Sequence, residues 1–305
     1  SIRIIDSSFS FLLIGQIGIA IGQPYILNAI SSLVADWFPK NKQATATGIG
    51  TIGMFSGMAV ALAGTPPLVN LFGFQTTLAI MTILTILSTL LFYFIGHLNS
   101  NTKSIPSTPN RLSTTFQLLK NKNFFLLNIA SFLGLGVFNG LTSWLEQILK
   151  PNGISSEQAG IVGGFLIIGG IIGSIVIPYF SDKAGKRKGF LLFTIIGSLL
   201  LLYPVCTIEN FTLLLIMGSL LGFIFLPAFA LLLSTTEDLV DEEVSGEATG
   251  LLLMAGNLGA VIVIGAMPII KGNQSTWNHS VHFLFILLLV SFFLMLLFKE
   301  RNENE

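Results

Sequence analysis

Asn128, Ser131, Asn139, Thr142 and Glu146 recur at spacings of 3, 8, 3 and 4 among apolar residues, close to a single stripe of an α-helix. Placed in lipid, amides and a carboxylate are costly unless they face a cavity or another helix. Two readings of the stripe stay open. One is hydrogen bonding between helices, which Asn and Ser supply in any bundle; the other is lining of a solute path by Asn139 and Thr142, near the middle of the run. Glu146 lies nearer the end and reads as an interfacial charge or as the last member of the lining. Trp144, rotated from Asn139, reads as an interfacial Trp. Gln16 and Gln23 share a face seven residues apart, and Gln23 either holds solute or repairs the backbone ladder that Pro24 weakens. Asn257 is the single amide in the run 248–270.

Nothing here composes an enzyme. His97, His279 and His282 offer no third ligand for a metal, Cys206 is the single cysteine, and neither G-x-S-x-G nor H-E-x-x-H occurs. No cofactor is expected. A charged cluster stands out instead: Asp182, Lys183, Gly185, Lys186, Arg187 and Lys188. The stretch containing Glu237, Asp238, Asp241, Glu242, Glu243 and Glu247 is wholly acidic. Opposite charges on two adjoining loops make a latch that closes one mouth of a membrane protein; solvated turns and plain topology are the alternatives.

The elements that must hold these residues follow from where charge is missing. The 305 residues carry 15 Lys+Arg and 15 Asp+Glu, a charged share of 10%, with a mean hydropathy of +0.81. A soluble domain carries about 25% charged residues, so this chain cannot cover a water-facing surface. The balanced charge leaves no footprint for nucleic acid. Residues 7–35, 43–102, 123–145, 158–181, 189–208, 210–236, 248–270 and 272–298 hold no Asp, Glu, Lys or Arg. About 20 apolar residues span a bilayer, and the run 43–102 holds two spans divided near 64–73. The expectation is an all-α, polytopic transmembrane bundle of nine spans: about 9–35, 44–66, 74–96, 122–146, 158–180, 189–207, 211–235, 247–269 and 279–298. Twelve Lys/Arg fall in one set of alternate loops and three (Arg3, Lys150, Lys271) in the other, which predicts a cytoplasmic C-terminus.

Ala46-Thr47-Gly48 recurs as Ala248-Thr249-Gly250, an offset of 202 shared by Gly57/Gly259 and Pro66/Pro268. The first three spans therefore read as a copy of the last three. The middle three have no such partner, and three further helices before Ser1 would complete two six-helix halves. On this reading 1–97 is a partial N-terminal bundle, 98–118 a cytoplasmic linker rich in Ser, Thr, Asn and Pro, and 119–305 a six-helix bundle. Glycines four apart, among them Gly53/Gly57 and Gly169/Gly173, predict close helix approach.

The loop Pro178-Tyr-Phe-Ser-Asp182-Lys183-Ala-Gly185-Lys186-Arg187-Lys188 resembles the signature G-x-x-x-D-(R/K)-x-G-(R/K)-(R/K) of the major facilitator superfamily, with Pro178 for the leading Gly. Gln23-Pro24-Tyr25-Ile26-Leu27-Asn28-Ala29, Ala35-Asp36-Trp37-Phe38-Pro39 and Ala44–Gly48 are similar to the haem, choline and ethanolamine carriers named after the feline leukaemia virus subgroup C receptor. The resemblance implies helices 4–12 of a twelve-helix fold, alternating access around a cavity between halves, and gating by Asp182, Lys183, Gly185, Lys186 and Arg187. It also implies that Asp182 meets a helix start near Gly246. Asn257 stands where that branch carries a solute-binding Gln, Asn139 where it carries the Tyr of an aromatic cage, and Phe55 where it carries another Gln. Gln23, Asn139, Thr142 and Asn257 are the expected solute contacts. The expected activity is secondary transport of a small organic solute, with an amine or choline-like cation ahead of haem or a drug-like amphiphile. A receptor or channel subunit without solute turnover is the alternative. Expected partners are the solute and the lipid bilayer of the plasma membrane, with neither nucleic acid nor an obligate protein partner.

Overall fold

Each charge-free run that the structure describes is helical. The computed structural model describes residues 9–19, 22, 37, 40–96, 118–240 and 244–300. The helices are α1 (Phe9–Ile19), α2 (Lys40–Phe72), α3 (Phe74–Gly96), α4 (Lys122–Leu149), α5 (Ser156–Ala184), α6 (Arg187–Thr207), α7 (Phe211–Phe225), α8 (Pro227–Leu239), α9 (Ser245–Lys271) and α10 (Asn278–Leu297). No strand occurs among the described residues. Among the described residues, eight stretches are long and apolar enough to cross a membrane, with α7 and α8 counting as one, Phe211–Leu239. Of the expected span 9–35, α1 forms the start, and most of the rest, Gln23 included, lies outside the described residues.

The chain divides into two units, Ser1–Ser107 and Thr108–Glu305. In the first, α2 continues through Pro66 and Pro67 to Phe72, past the expected end at 66. Proline's fixed φ is compatible with a helix; its missing N–H and the crowding of its ring on the carbonyl four residues back are tolerated in spanning helices. The chain turns instead at Gly73, whose φ of 81° suits a residue without Cβ. Along α3, Thr77, Thr82, Thr85, Ser88 and Thr89 each donate to the carbonyl four residues back, at 2.8–2.9 Å. Their hydroxyls are thus satisfied within the helix.

The second unit, α4 to α10, has well-marked boundaries. Asn121 caps α4 by accepting the N–H groups of Asn123 and Phe124. Ser155 and Gln158 close a reciprocal capping box on α5, and Asn210 caps α7. The expected single helix 211–235 is broken at Leu226-Pro227. Pro227 opens α8, and the Phe229 N–H turns to the Leu226 carbonyl at 3.1 Å.

Lipid tails are as apolar as leucine, so helices here gain little from hiding hydrocarbon and must gain from close packing and hydrogen bonds. Two glycine seams supply the packing. Between α4 and α9, a Cβ on Gly259 would overlap the Phe132 carbonyl, and one on Gly136 or Gly140 would lie 2.8 Å from a Val263 methyl. Between α5 and α7, Gly169 lies against the Ser219 carbonyl, Gly173 against that of Phe223, and Gly222 against that of Leu166. Gly53 and Gly57 in α2 have no such neighbour among the described residues.

Candidate functional site

The stripe on α4 divides into two parts. Asn128 and Ser131 are buried; Asn128 donates to the Phe124 carbonyl and Ser131 to the Leu252 carbonyl of α9, both at 2.9 Å. This lower part serves packing. Higher up, Asn139 and Thr142 are half-buried. Asn139 Nδ2 donates to the Leu135 carbonyl at 2.9 Å, and Thr142 Oγ1 to the Phe138 carbonyl at 2.9 Å. Asn257 on α9 is exposed, and its Nδ2 donates to the Leu253 carbonyl at 3.0 Å. In both amides the partner is a carbonyl oxygen, so the nitrogen must face it. The oxygen Oδ1 of each is left with no hydrogen bond among the described residues. Each amide lies one residue from a glycine of the α4–α9 seam, Asn139 beside Gly140 and Asn257 beside Gly256, where a Cβ would meet the Leu135 side chain and Ser131 Oγ of α4. Thr142 Oγ1 also reaches the Asn139 backbone carbonyl at 3.4 Å; no hydrogen bond between side chains joins Asn139, Thr142 and Asn257 among the described residues.

Trp144 has a part that its type alone does not reveal. Its indole N–H donates to the Ile264 carbonyl of α9 at 3.0 Å. That carbonyl is the one four residues before Pro268, which has no N–H to offer it. The Trp144 ring also packs on Trp277 at 4.8 Å between centroids, and Lys271 Nζ lies 5.5 Å from the Trp277 ring centre. Glu146 accepts a hydrogen bond from Ser156 at 2.6 Å, tying the ends of α4 and α5.

At the other end of the unit lies the charged cluster. Gly185 ends α5 in the left-handed region, with φ 60°. Ser181, fully buried, donates to the Lys186 carbonyl at 3.0 Å and fixes the turn from inside. Arg187, across that turn, pairs with Asp182 and donates Nε to Asp238 Oδ2 of α8 at 3.1 Å. Its side chain is 22% exposed, against 60% for Asp182 and 56% for Asp238. Ion pairs this open to solvent are worth about 0–1 kcal/mol, weak enough to open and reclose. Asp182 is thus held by Arg187, the cation just past its own turn. Lys183 and Lys186 are exposed and make no ion pair among the described residues. Asp241, Glu242 and Glu243 lie outside the described residues. No group of three or more His, Cys, Asp or Glu that could hold a metal occurs among the described residues.

Compared with known proteins, residues 2–264 and, in a second placement, 146–305 match the sequence profile of the Major Facilitator Superfamily. An uncharacterised protein of Archaeoglobus fulgidus is 33% identical over 209 residues, covering 68% of this chain and 93% of that protein. Solute carrier family 49 member A3 of Xenopus tropicalis is 30% identical over 195 residues, 58% of this chain and 38% of that protein. The choline/ethanolamine transporter FLVCR2 of Rattus norvegicus is 25% identical over 277 residues, 83% of this chain and 50% of that protein. The match thus spans half or less of these two vertebrate carriers. In fold, the chain is similar to a bacterial homologue of the human lysosomal transporter Spinster, solved inward-facing and unoccupied. The TM-score is 0.72 at 15% identity, covering 97% of this chain and 78% of that one. The resemblance to the choline and ethanolamine carrier branch is borne out by these relatives.

Proposed function

The chain belongs to the Major Facilitator Superfamily, and on that premise we propose a secondary carrier that moves a small amine or choline-like cation by alternating access. Membership makes it an integral membrane transporter and not an enzyme. The observation that carries the choice of cargo is the pair of anchored amides. Asn139 and Asn257 each commit one N–H to their own helix, which fixes the amide and presents its carbonyl oxygen. Two presented acceptors suit a solute that donates, such as an ammonium or hydroxyl group. Thr142, one turn beyond Asn139, adds a hydroxyl with acceptor capacity to spare. A relative named as a choline/ethanolamine transporter supports the same cargo class.

We place the carrier in the plasma membrane, with its C-terminus in the cytoplasm as the Lys/Arg bias supports. Residues 1–97 form part of an N-terminal bundle, 98–118 the linker and 119–305 the C-terminal bundle. The cytoplasmic gate is Arg187 between Asp182 and Asp238, on a turn shaped by Gly185 with Lys183 and Lys186 solvated beside it.

Uptake of radiolabelled choline and ethanolamine by the full-length protein in proteoliposomes tests the reading. Saturable uptake is expected. Asn139→Ala and Asn257→Ala should each raise KM about ten-fold or more, the cost of one hydrogen bond to a charged group. Binding without flux would make the protein a receptor, and unchanged kinetics in both variants would remove the amides from the site.

A further inference from the structure

Two helix ends in the C-terminal unit have no side-chain cap from their own helix. α6 begins after Lys186, whose side chain makes no capping bond, and its first turn holds no acidic residue. α10 ends with no basic residue in its last turn. Each end is completed by the other helix. The Glu300 carboxylate, just past α10, accepts the backbone N–H of Lys188 in the first turn of α6. The Lys188 ammonium donates back to the carbonyls of Leu296 at 2.8 Å and Phe298 at 2.6 Å, at the close of α10. An anion thus sits at a positive helix end and a cation at a negative one, each supplied across the gap. Asn123 in the first turn of α4 joins the same knot. It donates Nδ2 to the Lys299 carbonyl at 2.9 Å and accepts the Lys299 N–H at 3.3 Å. Phe298, between these contacts, is fully buried.

We propose that Lys188 and Glu300 are positioning residues of the gate. Their crossed caps bind the ends of α4, α6 and α10 into one block. Arg187, next to Lys188, is thereby held still while it grips or releases Asp238. α8 is the partner left to move, because the break at Leu226-Pro227 separates it from α7. Beyond the packing of Leu239 on the core, the ion pair of Asp238 with Arg187 is the salt bridge that holds its far end among the described residues. The inference rests on the gate proposed above and adds residues 298–300 to it.

The test uses the full-length protein in lipid nanodiscs, with amide hydrogen exchange at 187–190 and 296–299 and thiol labelling at Glu237→Cys, an exposed position on α8. Glu300→Ala should speed exchange at the start of α6 about five-fold, the factor for a lost charged cap. Lys188→Gln should do the same at the end of α10. Both should raise labelling at position 237 by a similar factor, and Glu300→Gln, which keeps an acceptor oxygen, should fall between Glu300→Ala and the parent. Unchanged exchange at both ends would overturn the crossed caps. Faster exchange with unchanged labelling would make them structural only and overturn their role in positioning. Asp238→Asn should raise labelling without touching exchange at 296–299; if it leaves labelling unchanged, the gate itself fails, separately from the caps.

Discussion

Pro268 deprives the Ile264 carbonyl of its helical partner, and Trp144 restores one at 3.0 Å. Trp144→Phe keeps an aromatic ring beside Trp277 and deletes only the N–H and the outer ring atoms. A buried acceptor left unpaired costs about 1–3 kcal/mol in general, and couplings in membrane helices average about 0.6 with a maximum near 1.7 kcal/mol. The expected loss from the missing bond is therefore about 1 kcal/mol, with a further packing loss on Trp277. Pro268→Ala separates the two, because alanine returns an N–H to Ile264 and satisfies it within α9. In that background Trp144→Phe should cost only the packing part. Unfolding of the parent, both single variants and the double variant by SDS titration from mild detergent gives the cycle. A coupling near 1 kcal/mol is expected, and a coupling within about 0.3 kcal/mol of zero, the level seen for independent sites, would refute the repair.

Gly222→Ala should destabilise strongly, by about 2 kcal/mol or more, because its Cβ meets the Leu166 backbone carbonyl; retained folding yield and melting point would refute the α5–α7 seam. Gly185→Ala meets open space and strains only a backbone at φ 60°, so its cost should stay near 1 kcal/mol, read from the same melting assay. Arg187→Gln should raise thiol labelling on the charged side with little change in melting temperature, since the pairs it breaks are solvent-screened. Ser181→Ala should destabilise by about 1 kcal/mol and loosen the same turn, seen as faster amide exchange at Lys186.

Charge gaps located the described spans because a bilayer forbids unpaired charge whatever the tertiary fold. The break at Leu226-Pro227 was not legible, since spanning helices tolerate proline and the α2 prolines pass without a break. The signature loop was readable through Asp182, Gly185 and Arg187, which act within a few residues of one another. Lys188 with Glu300, Ser131 with Leu252 and Trp144 with Ile264 were not, since these partners lie more than a hundred residues apart and are joined by packing alone. Trp144 still carried a signal: a Trp on one span and a proline deep in another are complementary needs, one for an acceptor and one for a donor.

The seams have a consequence for how such a carrier diversifies. Their tightest contacts set backbone carbonyls of one helix against glycines of another, so the frame of the C-terminal unit depends on few side chains. Residues such as Asn139, Thr142 and Asn257 stand beside that frame without bearing it. On the proposed function, a lineage can therefore exchange them, and with them its cargo, while the scaffold keeps its shape.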